Sequence, residues 1–240
     1  MTEQTAQAPP LFQARVGGFF YLVIIVAAFV AEVLVRGSLI VSNDAAATAH
    51  NILGSELLYR AGAGIDLVVL FCDTVVALVL YVVLRPAGAG LALLAAFFRL
   101  VFVAIMAANT ILFFVPLLLL KGGNDLSVFS AEQAQALSLV ALKLHNMGYN
   151  VALVFFGVHC ILIGGLIAKS ELLPRILGLL VAIAGGCYLV NSFNNFLPHE
   201  LHVPLLPYIL LPGLVAESLL ALWLFFVGIN VRRWHELAKG

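Results

Sequence analysis

The sequence predicts an all-α fold, a polytopic transmembrane helical bundle of six spans, and three observations predict it. Of 240 residues, 63% are hydrophobic and only 10% charged. That is too little charge to cover a soluble domain, so the bilayer must be the solvent. Six apolar segments are each long enough to cross a hydrocarbon core of about 30 Å, which takes roughly 20 residues at about 1.5 Å rise. The few ionisable residues inside those segments recur at two depths, as expected when they face one another rather than lipid.

Residues 1–15 are polar, with Pro9-Pro10 and a single basic residue, Arg15. A signal peptide needs a cationic start, a short apolar core and a small-residue cleavage site. The apolar run 16–35 is instead long enough to span, so we expect a retained first helix behind a loose tail. The connection 37–61 opens on the cap residues Ser42, Asn43 and Asp44, followed by helix-favouring alanines. The placing of Ile52, Leu53, Leu57 and Tyr59 predicts a short amphipathic outer-side helix between spans one and two, with His50, Glu56 and Arg60 polar.

The second and third spans cover 62–84 and 89–120, and Pro116 predicts a kink or an end in the third by removing a backbone donor. The fourth, 134–168, starts early, because Ser130-Ala131-Glu132-Gln133 is a capping-box pattern and AQALSLVALKLHN is amphipathic. These two exceed the minimum length and must tilt or project. Spans 176–197 and 207–230 complete a single membrane domain, 16–234, with a tail at 235–240. Glycine pairs 164–165 and 185–186 read as close helix contacts. Cys72, Cys160 and Cys187 lie in apolar stretches, outside any C-x-x-C pair, and read as small fillers.

Charge distribution sets an expected orientation. With both termini in the cytoplasm, seven basic residues fall inside (Arg15, Arg85, Lys169, Arg175, Arg232, Arg233, Lys239) and three outside (Arg36, Arg60, Lys121). The positive-inside rule favours that arrangement. Trp234 and Tyr208 sit near span ends, where amphipathic rings anchor. Net charge is zero and no basic run occurs, so nucleic acid is not an expected partner.

An ionisable group within a span costs about 2.5–3.5 kcal/mol to insert, so it normally faces the bundle interior. Counting from the inner span ends places Asp73, Arg99, His159 and Glu217 near mid-bilayer. Glu32, Asp66, Lys143 and His145 fall near the outer boundary, with His199 and His202 in the outer loop beyond. Asp66 and Asp73 are two turns apart on one face; His145 and His159 are about four turns apart, with Tyr149, Ala152 and Phe156 between them. Asn191, Ser192, Asn194 and Asn195 form a polar patch that should avoid lipid. We therefore expect a cavity entered from the outer side. Its floor is Asp73, Arg99, His159 and Glu217; its mouth is Glu32, His50, Glu56, Asp66, Lys143 and His145.

Plainer readings stand beside this one. Asp73–Arg99 and Glu32–Lys143 would each serve as an ion pair that lets two helices insert, Lys143 could snorkel, and His159 could be a packing residue. Asp73, His159 and Glu217 are suitable ligands for Zn²⁺ or Mn²⁺, but Arg99 at the same depth repels a cation, and no metal is assigned. Two histidines on one span would need partners on another to hold haems, and none is there. No nucleophile elbow, Walker or dinucleotide motif occurs; no cofactor is assigned.

The stretches VRGSLIVSNDAAATAHNI, ELLYRAG, LYVVLRP, LALLAAFFRL, LHNMGYN, FFGVHCILIGGLIAKSELLPRILG and AGGCYLVNSF resemble a bacterial membrane family known as domain of unknown function 4386, over residues 17–234. The resemblance implies a multi-span membrane protein and no particular reaction. Two positions depart from the family's pattern: Asn191, where many relatives carry an acid, and Asn43, where they carry glycine. Three function classes remain: binding (or transport) of a small molecule or lipid, an intramembrane enzyme on a lipid-like substrate, and a structural or sensory protein with packing-only pairs. The halves 16–120 and 134–230 share no convincing similarity, which disfavours an inverted-repeat carrier. Besides the bilayer, the expected partner is a small molecule or lipid; a homo-oligomer is left open.

Overall fold

The computed structural model describes residues 9–122, 128–198, 201, 203 and 208–239. These form helices and turns, with no strand among the described residues. The helices are α1 (Pro10–Leu39), α2 (Ala45–Gly54), α3 (Glu56–Leu84), α4 (Ala89–Lys121), α5 (Ala131–Ser170), α6 (Arg175–Phe196), α7 (Tyr208–Val227) and α8 (Val231–Leu237). All but α2 and α8 are long and apolar enough to cross a membrane.

Successive spanning helices pack side by side, and α7 returns to α1, so the six close into a ring. The short connections α3–α4 and α5–α6 leave the helices they join as antiparallel neighbours. Gly228, just past α7, abuts Leu11 at the start of α1 with φ +86°, which only glycine adopts freely. Both described ends thus lie at the same end of the bundle. The indole of Trp234 donates to the Val83 carbonyl at 3.1 Å, pinning α8 under α3.

Small residues allow the close crossings. On α5 and α6, Gly157 faces Gly185 and Gly164 faces Gly178. A β-carbon on Gly157 would fall 2.9 Å from the Gly185 carbonyl oxygen, and one on Gly164 would fall 2.5 Å from that of Gly178. Each pair is seven residues from the next along both chains, two helical turns, so the antiparallel seam runs in register. Of the doublets read from sequence, Gly164 and Gly185 make the contact, while Gly165 and Gly186 face open space. In α1, Gly17 meets Val79 of α3 and Gly18 meets the Phe225 backbone of α7.

The helices outrun the expected spans. α1 continues past residue 35 through a π-helical stretch, Ala31–Arg36, and α3 starts at Glu56, which shortens the expected connection. Pro116 does not end α4, which runs on to Lys121. The capping box of Ser130 and Gln133 forms. The helix between spans one and two is capped by Asp44, which accepts from the Ala47 amide at 2.8 Å. Ile52 and Tyr59 are buried against Val35, Phe113 and Leu142, whereas Leu53 and Leu57 are exposed. Asn43 has φ +62°, a left-handed conformation that explains why glycine suits this position. Cys72 and Cys160 are buried and Cys187 half-buried, all as free thiols.

Candidate functional site

Each spanning helix sends one polar group to a common point inside the ring. α3 brings Asp73, α4 Arg99, α5 His159, α1 Tyr21, α6 Tyr188 and α7 Glu217. Arg99 is wholly excluded from solvent, and Asp73 and His159 are nearly so. The Arg99 Nε–H donates to Asp73 Oδ1 at 2.9 Å, and its Nη2 bonds the same oxygen. The guanidinium carbon also lies 4.8 Å from the ring centre of Tyr21 and 5.2 Å from that of Phe156. Two aromatic faces and a carboxylate thus take the place of water around the cation.

The hydrogen bonds of His159 define its tautomer. Nδ1 lies 2.8 Å from the Ala95 carbonyl oxygen, which can only accept, so Nδ1 carries the proton. Nε2 lies 3.1 Å from Arg99 Nη1, which can only donate. The imidazole is therefore neutral, with its lone pair already engaged.

Glu217 is set apart. Tyr21 donates to its Oε2 at 2.8 Å and Tyr188 to its Oε1, yet the residue remains partly exposed at the middle of α7. Gly213, one turn earlier, makes room for the Tyr188 ring: a β-carbon there would fall 2.8 Å from Cε1 and closer still to the hydroxyl. The Asp73, Arg99, His159 and Glu217 of the expected floor are thus brought together, but filled in by one another and by Tyr21 and Phe156. A surface cleft at either end of the bundle reaches none of them. Among the described residues no group of three or more His, Cys, Asp and Glu could hold a metal ion; Arg99 stands between Asp73 and His159.

The mouth residues separate into four places. Arg36 pairs with Asp66 and, at 3.8 Å, with Glu32. Its guanidinium lies 5.2 Å from the centre of Phe113, whose ring in turn meets His145 at 5.4 Å. His145 Nδ1–H donates to the Asn109 carbonyl at 3.0 Å, and the Asn109 amide returns a bond to the His145 carbonyl at 2.8 Å. Glu56 instead binds Arg60 at 2.8 Å and Lys121 at 2.7 Å on the surface. His50 lines a cleft of about 250 Å³ between α2 and the ends of α4 and α5. The expected Glu32–Lys143 pair does not form: Lys143 reaches Asn43 at 3.5 Å, and Arg36 takes Glu32. The π-helical turn carries Arg36 on within α1 instead of releasing it to a loop, and Gly62 lets Val35 close on α3.

Asn191, Ser192 and Asn194 are buried, as a polar patch avoiding lipid requires. Asn191 donates to Asn150 Oδ1 at 3.0 Å, so its side chain faces α5. Asn194 holds Val203 by both its backbone groups, at 2.9 Å each. His199 and His202 lie outside the described residues. Tyr21, Tyr188 and Arg36 were missed from sequence; the signal was a tyrosine hydroxyl at mid-span, which needs a partner when buried.

The family described as Domain of unknown function (DUF4386) matches residues 16–228. The chain belongs to this family. The DUF4386 match takes in all six network residues and stops before α8. A protein of Archaeoglobus fulgidus described as "Uncharacterized protein" is 28% identical over 165 residues, covering 69% of this chain and 82% of its own length. No solved structure matches the chain.

Proposed function

We propose that this DUF4386 membrane protein binds a lipid-soluble molecule carrying a cationic or hydrogen-bond-donating group, and that Glu217 receives that group. One observation carries the reading. Asp73 and Glu217 stand in one network with a single guanidinium, Arg99, which bonds Asp73 and a neutral His159, so Glu217 holds only tyrosine hydroxyls and is the partly exposed carboxylate. A carboxylate with no cation bonded to it is costly in an apolar setting; an ammonium or protonated amine supplies the missing charge, and a hydroxyl a further hydrogen bond. Approach is lateral, from the acyl chains, because the surface clefts lie at the bundle ends and Glu217 at mid-helix. The basic residues support an orientation in a bacterial inner membrane with both termini cytoplasmic.

A packing-only reading also has a specific observation behind it: Arg99, Asp73 and His159 satisfy one another with no ligand. An acid–base enzyme is less favoured, since the free lone pair of His159 is already taken. Native mass spectrometry with dodecylamine separates these. The expected result is an adduct on the wild type that weakens about tenfold, about 1.4 kcal/mol, in Glu217→Gln, with no adduct from dodecanoic acid. Equal retention by both proteins, or none by either, would overturn the binding reading in favour of packing.

A further inference from the structure

At the end of the bundle that holds both described termini, a cavity of about 830 Å³ opens between the α5–α6 turn and the α7–α8 turn. That volume falls within the roughly 300–1,000 Å³ of small-molecule sites. Its lining is apolar at Leu172, Leu173 and Trp223 and carries Lys169, Arg175 and Asn230. The walls are fixed to each other: the Asn230 amide donates to the Leu172 carbonyl at 2.9 Å, and Arg233 Nε donates to the Ser170 carbonyl at 3.3 Å.

Charge shows what the cavity suits. Glu171, also in the lining, is engaged by Arg233 at 3.6 Å. Lys169 and Arg175 are exposed and make no ion pair or hydrogen bond with any described residue. Arg175 also opens α6, a 22-residue helix, whose first amide groups add positive potential there. Two cations with no partner among the described residues thus stand beside Trp and aliphatic side chains at the end of the spans, where bilayer headgroups meet acyl chains.

We propose that this cavity holds the phosphate headgroup of an anionic phospholipid, with Lys169 and Arg175 on the phosphate and Trp223 against the upper acyl chain. Basic pockets between spanning helices recognise anionic headgroups in this way. The proposal is independent of Glu217, which lies at mid-helix and is not in the cavity.

The test is native mass spectrometry of the full chain released from phosphatidylcholine vesicles containing a minority of phosphatidylglycerol. Wild type is expected to retain phosphatidylglycerol, and Lys169→Gln/Arg175→Gln to retain about tenfold less or lower. Arg15→Gln/Lys239→Gln removes the same charge from the same end outside the cavity and is expected to retain it fully. Inorganic phosphate at millimolar concentration should not displace the lipid. Equal retention by the Lys169/Arg175 variant, equal loss in the Arg15/Lys239 variant, or displacement by phosphate alone would each overturn the proposal.

Discussion

The Tyr188 ring lies across Gly213, and it reaches Glu217 only because Gly213 has no side chain. Gly213→Ala should therefore push the ring aside, break its bond to Glu217 and cost about 1–3 kcal/mol, the usual range for overpacking. Once Tyr188→Ala removes the ring, the added methyl loses its obstacle, so the two substitutions should be strongly non-additive. Reversible unfolding in mixed micelles measures this, and simple additivity would count against the contact.

Asp73 and Arg99 make a buried pair whose partners cannot be replaced by water. Asp73→Asn should cost about 3–5 kcal/mol, because it leaves a guanidinium without its anion. Asp73→Leu/Arg99→Met removes both charges together and should recover most of that loss. The same unfolding assay reads both variants. A cost below about 1 kcal/mol for Asp73→Asn would mean that the pair is solvated.

The α5–α6 seam makes an internally controlled prediction. Gly164→Ala drives a β-carbon to 2.5 Å from the Gly178 carbonyl oxygen, a backbone atom, and should destabilise by about 1–3 kcal/mol. Gly165→Ala meets nothing within 4 Å and should stabilise by about 0.5–1 kcal/mol through helix propensity alone. Thermal denaturation of the two single variants compares neighbouring residues with opposite expected signs.

Asn43 offers a backbone test. At φ +62°, Asn43→Gly should be neutral or mildly stabilising, although Lys143 loses a weak surface contact. Asn43→Val should cost about 1–3 kcal/mol, since a β-branched residue resists the left-handed region. Equal melting temperatures for the Gly and Val variants would contradict the conformation.

The parts legible in the sequence were those that follow from single-residue cost. A span needs apolar residues, so all six helices could be found. A buried charge needs a partner, so Asp73–Arg99 and the Asn191 patch could be anticipated. Partnering between distant elements was harder to see. Tyr21 and Tyr188 pass for ordinary aromatic packing until Gly213 and Glu217 are seen beside them. Arg36 looked like a loop residue because helical phase after residue 30 depends on a π-helical turn, and no local pattern announces one. The Glu32–Lys143 pairing failed for the same reason. The cavity floor is a different matter: charge and depth say which groups meet, while whether they enclose space depends on the neighbouring rings.

The central claim is that one carboxyl of the network, Glu217, is reachable from the membrane while Asp73 is sealed by Arg99. Dicyclohexylcarbodiimide, an apolar reagent that adds to carboxyl groups from the lipid phase, tests this in bilayer nanodiscs with peptide mapping of the adduct. The account predicts modification at Glu217, none at Asp73, and loss of the adduct in Glu217→Gln. Modification of Asp73 at the same rate as Glu217, or of neither, would contradict it.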